Sequence, residues 1–177
     1  MKIRRVGLLF LVLILALSVG VTAASAKKPM IAGGKNQREG TSGTVGEWLF
    51  NGTTRFKVYS VAYPATDPKG VAPSQGKTWM LISLEVRNAQ DLNSNYGGNV
   101  GTLTVFDNDG MSTVAGHLVK ATDWEEDLGG MIAKAAGFKG VCVAEIDSAF
   151  KAVRLIYELP SNAPVFRVSL PVSMQAK

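Results

Sequence analysis

The sequence predicts an all-β fold, a sandwich of two antiparallel sheets with one short helix in a connection. Three observations carry this reading. Apolar and polar residues alternate with a period of two in several separate segments, and past the N-terminal apolar run no long segment repeats with the helical period of 3.6. Clusters of Gly, Pro, Asn and Asp divide the chain into about eight short strand-like runs at regular spacing. Cys142 is the single cysteine, so an intramolecular disulfide is impossible and a packed core must supply the stability.

The N-terminal end precedes that fold. Lys2, Arg4 and Arg5 form a basic start, Val6 to Val21 is an almost unbroken apolar run, and Ala24-Ser25-Ala26 is a small-x-small cleavage site followed by Lys27-Lys28. Residues 1–26 therefore read as a cleaved signal peptide. The apolar run is short for a membrane span of about 20 residues, and no cysteine stands at the cleavage site to take a lipid. Residues 27–45 are rich in Gly, Ser, Thr, Lys and Asn, too poor in apolar surface to offset the entropy of ordering, and read as a flexible spacer. Residues 46–177 read as the folded domain, a size that fits one core.

Within the domain, Trp48 and Phe50 open a strand, and Asn51-Gly52 turns it into a second strand, Arg55 to Val61. Pro64, Pro68, Gly70, Pro73 and Gly76 make a loop. The clearest strand is Thr78 to Arg87: Met80, Ile82, Leu84 and Val86 face inward, with Glu85 and Arg87 outward. After a polar, Gly-rich loop, the strands Thr102 to Asp107 and Met111 to Gly116 flank the turn Asn108-Asp109-Gly110. Thr122-Asp123-Trp124-Glu125 has capping-box spacing and predicts a short helix, stopped by Gly129-Gly130. Gly137 to Asp147, Ala152 to Leu159 and Val165 to Leu170 complete the strands.

Several of these landmarks are similar to a known family. Gly46 and Trp48 open the domain, and Phe56-Lys57-Val58 lies in the second strand. A long strand runs from Trp79 to Asn88, Phe106-Asp107 precedes Asp109-Gly110, and Gly140-Val141-Cys142-Val143 comes late. In this order, over about Val45 to Leu170, the chain resembles the telokin-like, immunoglobulin-fold family of secreted bacterial proteins and lipoproteins, a domain-of-unknown-function family. The resemblance implies an immunoglobulin-like sandwich outside the cytoplasm and supplies no catalytic residues. Ala136-Gly137 stands where that family often has Pro-Gly, and Ile146-Asp147 where a proline often ends the late strand.

Charge and chemistry narrow the function. The precursor carries 19 basic and 14 acidic residues. From Gly46 onward the counts are 12 and 13, so the alkaline character belongs to the N-terminal end and nucleic-acid binding is set aside. His117 is the only histidine, and no nucleophile-elbow sequence accompanies it. One His and one Cys in different elements do not make a zinc site. Asp107-Asn108-Asp109-Gly110 reads as a turn, because position twelve of a calcium loop would fall on Leu118. The carboxylates of Asp123, Glu125, Glu126 and Asp127 need not converge on a helix start. Cys142, between valines, reads as a buried small hydrophobe.

The expectation is a secreted, non-catalytic module without metal or cofactor. It is released, or kept in the periplasm or cell envelope, with no transmembrane segment after cleavage. Its partner would be a protein or a glycan outside the cytoplasm. Trp79, Tyr96 and Trp124 are the candidate partner-binding residues, as exposed aromatics that anchor proteins. The alternative is a carbohydrate-binding module that stacks sugars on those rings.

Overall fold

The computed structural model describes residues 40–96, 100–160 and 164–171. The signal-peptide reading (1–26) and residues 27–39 of the expected spacer lie outside the described residues. All described residues belong to one compact unit, 33–177.

Among them there is no helix, and thirteen strands form two main sheets and a ribbon. The five-stranded sheet runs β1 (Ser42–Thr44), β13 (Phe166–Ser169), β12 (Arg154–Glu158), β6 (Thr102–Phe106), β7 (Ser112–His117). The six-stranded sheet runs β2 (Leu49–Phe50), β3 (Thr54–Ala62), β4 (Lys77–Asn88), β11 (Gly137–Asp147), β8 (Val119–Lys120), β9 (Asp123–Asp127). The ribbon pairs β5 (Ser94–Asn95) with β10 (Met131–Ile132). Pairing is antiparallel except where β1 runs parallel to β13, joining Ser42, Gly43 and Thr44 to Arg167, Val168 and Ser169. Part of the stretch expected as spacer thus adds a strand to the sheet edge.

The strands of the sequence are present where alternation placed them. Asn51 makes the β2–β3 turn by accepting from the amides of Thr53 and Thr54 at 3.2 and 2.9 Å, and its own side-chain amide donates to the Pro164 carbonyl. Asp107 makes the β6–β7 turn by accepting from the amides of Asp109 and Met111 at 3.0 and 2.8 Å. β4 and β11 form the spine of the larger sheet, in unbroken register from Lys77↔Asp147 to Arg87↔Gly137.

The two sheets meet over an apolar core. Met80, Ile82, Leu84 and Val86 of β4 are all fully buried in it. Phe56 of β3 stacks on Tyr157 of β12 and Phe166 of β13, at centroid distances of 4.6 and 5.0 Å, and so ties one sheet to the other. Each large side chain buried in this way contributes about 1.5–3 kcal/mol. The chain crosses between sheets at β7–β8, where Gly116 at φ 70° bends it and Leu118 drops into the core. Gly140 lets β8 approach β11, since a Cβ there would lie 2.3 Å from the Val119 carbonyl oxygen.

One expectation is corrected. The helix expected from Thr122 is instead the second strand of the β8–β9 hairpin, pairing Lys120 with Asp123 and Val119 with Asp127. The stretch before Gly129 is about two turns at most, too short to offset helix nucleation, and strand pairing satisfies the same backbone groups. Glu85 points outward, as alternation requires, yet it is only 6% exposed, because large side chains close over it.

Candidate functional site

The side chains over Glu85 form the most distinctive surface of the larger sheet. Register places Lys57 of β3, Glu85 of β4 and Lys139 of β11 in one row across three neighbouring strands. The next row pairs Arg55 with Arg87 and continues to Gly137. A bulge between Val58 and Ser60 leaves Tyr59 unpaired in the register of β3 and β4. Bulges re-aim side chains in this way, and Tyr59 lies over Glu85 and donates its hydroxyl hydrogen to that carboxylate. Arg87 Nε donates to the same carboxylate.

The rings hold the cations. The Lys57 ammonium lies 4.8 Å from the Tyr59 centroid and 5.8 Å from that of Trp48. Lys139 takes Tyr59 at 4.4 Å, and the Arg87 guanidinium takes Trp48 at 5.1 Å. Each such contact is worth about 0.5–1 kcal/mol at a surface. Burial first, then the hydrogen bond to Glu85 and its charge, push the Tyr59 hydroxyl up to about 12. Arg55 is held below its usual value by burial and by the Arg87 guanidinium beside it. Lys57, Arg87 and Lys139 therefore gather around one carboxylate, three cations to one anion, an excess of two positive charges within that group. Since residues 46–177 sum to −1, the rest of that stretch carries −3.

The three aromatics expected to bind a partner do not form one surface. Tyr96 is not the exposed ring expected: it is 7% exposed, its hydroxyl 2.8 Å from that of Thr54. Trp79 and Trp124 do meet, half-buried, with centroids 5.4 Å apart and planes at 72°. Trp79 Nε1 donates to the Val71 carbonyl at 3.3 Å, so its ring pins the proline-rich loop to the sheet. Lys69 of that loop pairs with Glu125 of β9 at 2.8 Å. The crevice beside Trp124, lined by Asp67 and Glu125 among others, measures about 30 Å³, room for one water or so.

The polar candidates are likewise engaged. His117 Nε2 bonds to the Asp127 carboxylate, and Glu126 pairs with Lys120. Among the described residues no three His, Cys, Asp or Glu side chains gather as a metal-binding group. Cys142 points into the core fully buried, which pushes its thiol far up and out of the reactive range. Asn88, at the end of β4, is 1% exposed. It donates to the carbonyls of Leu92 and Ile132 at 2.7 and 3.1 Å and accepts from the Gln90 amide at 2.9 Å, fastening loops at one end of the sandwich.

Sequence reasoning missed Trp48, Lys57, Tyr59, Glu85, Arg87 and Lys139 as a group. The alternation Arg55-x-Lys57-x-Tyr59 and the pair Glu85-x-Arg87 were visible signals, since each sets its residues on one strand face. Only cross-strand register brings Lys139 to the same place.

No family model matches the chain, and no curated protein matches it. Solved structures do. A conserved hypothetical protein from Bacillus anthracis matches at 9% identity and a TM-score of 0.50, over 76% of this chain and 94% of its own. A β-sandwich protein from Clostridium difficile matches at 14% identity and 0.48, over 77% of this chain and 99% of its own. A candidate lipoprotein from Bacillus subtilis matches at 16% and 0.44, over 69% of this chain and 38% of its own. At these identities the likeness concerns the fold alone, and the protein is a β-sandwich with a cation-rich outer sheet face.

Proposed function

We propose that the protein is a secreted, non-catalytic, immunoglobulin-like module that binds another protein outside the cytoplasm, through the outer face of its six-stranded sheet. The observation that carries this reading is the concentration of Lys57, Arg87 and Lys139 around a buried Glu85, fixed by two rings on a rigid sheet. A surface built of pre-positioned cations and aromatic rings loses little entropy when it is covered. The N-terminal basic-apolar-small pattern supports export. The buried thiol and the pairing of the lone histidine with Asp127 support recognition over nucleophilic chemistry.

The carbohydrate reading is less favoured. The Trp79 and Trp124 planes stand at 72° rather than side by side, and the rings of Trp48 and Tyr59 already carry cations. Capture of host envelope and medium proteins by the secreted chain tests the proposal. A defined protein should be retained by the native chain and lost by Lys139→Glu. Retention on immobilised polysaccharide that disappears in Trp79→Ala would replace this reading with the carbohydrate one.

A further inference from the structure

We propose that the occupant of this face is an acidic, extended protein segment whose carboxylates seat on Lys57, Lys139 and Arg87 while an uncharged stretch passes over Glu85. This rests on the protein-binding reading above and specifies the partner's chemistry. Charge complementarity is the first argument: Lys57, Arg87 and Lys139 outnumber Glu85 by two charges on a stretch that is otherwise net negative. Such segregation steers an acidic partner to this face and away from the others.

Spacing is the second. Lys57 and Lys139 lie on the two neighbours of β4, two strand spacings or about 9.6 Å apart at the backbone. Arg87 is two residues along β4 from Glu85, about 6.8 Å. An extended peptide in the polyproline II conformation returns a side chain to the same face every three residues, about 9.3 Å, so carboxylates three residues apart reach Lys57 and Lys139 at once.

Glu85 supplies the third argument. Its buried carboxylate lies midway in the row from Lys57 to Lys139. A continuous polyanion such as polyphosphate would press its own charge onto that carboxylate. A peptide can place a serine or glycine there, with acids on either side.

Fluorescence anisotropy with the chain as secreted from its full-length precursor tests this. The probes are a labelled peptide of four Glu-Ser-Ser repeats, a peptide of the same composition with its glutamates in one block, and polyphosphate. The spaced peptide should bind best and lose about tenfold in affinity between about 0.05 and 0.3 M salt. Lys57→Glu/Lys139→Glu should weaken it by about tenfold or more, whereas Lys77→Glu/Lys134→Glu, with the same charge change elsewhere, should stay within about twofold. The Lys57→Ala/Lys139→Ala variant should lose affinity as well, with an unchanged circular dichroism spectrum for all three.

Absent binding of the spaced peptide, tighter binding of polyphosphate or of the block peptide, or equal loss in both charge-reversed pairs would each overturn the proposal. The capture experiment separates the two failures. If the peptide does not bind but Lys139→Glu still loses a captured protein, the acidic-segment inference falls and the docking face stands. If neither responds, both fall.

Discussion

Replacing Glu85 by alanine should destabilise the domain by about 2–4 kcal/mol, although the residue sits on an outer sheet face. Glu85 is 6% exposed and accepts from Tyr59 and Arg87. A hydrogen bond to a charged group is worth about 1.5–3 kcal/mol, and the bond from Tyr59 falls in that range because burial shields it. The pair with Arg87 adds less, about 0.5–1 kcal/mol, since that side chain is 46% exposed and water screens it. Losing the carboxylate also leaves Lys57, Arg87 and Lys139 without the anion they surround. Glu85→Gln keeps an acceptor for Tyr59 and should cost about half as much. Urea unfolding monitored by tryptophan fluorescence measures both. Added salt should recover part of the loss, because the remaining term is repulsion between partly exposed cations. A loss below about 0.5 kcal/mol, or one indifferent to salt, would refute the view that this carboxylate holds the face together.

Leu84→Ala, fully buried on the opposite face of the same strand, should cost about 3–5 kcal/mol in the same assay by opening a cavity between the sheets; a cost near that of a surface substitution would contradict the packing. Stability should also fall at alkaline pH. Tyr59 binds its proton more tightly when folded, so its contribution is complete below its ordinary value near 10 and is lost as pH rises through 10 towards about 12. Burial raises Cys142 and Tyr157 in the same direction, so Tyr59→Phe should flatten the decline of the urea midpoint across this range without abolishing it. An unchanged slope in that variant would show that burial and Glu85 do not hold the Tyr59 proton more tightly in the folded state.

The sequence by itself determined whatever depends on neighbours along the chain. Strict alternation from Thr78 to Arg87 fixed which side chains of β4 enter the core, because successive residues of a strand must point to opposite faces. Asn51-Gly52 and Asp107 to Gly110 fixed two turns, because their side chains and positive-φ glycines close them locally. The segment starting at Thr122 carries a helix signal for the same local reason. A capping pattern describes how a helix could start, but the hydrogen bonds that won came from β8 across the hairpin.

What only the tertiary structure decided is what covers the outward residues. Glu85 and Arg87 alternate identically, yet one is buried and the other open, because the bulge at Tyr59 swings a ring over Glu85. Tyr96 sits in a polar loop that reads as exposed, but its hydroxyl meets Thr54 inside the core. Lys139 stands about 80 residues from Lys57 in the sequence and joins it only because β11 and β3 flank β4 in register. Period and turn chemistry are short-range and legible in a single chain. The cation-rich face is a product of cross-strand register, which is set by the pairing of whole strands and by the core they enclose.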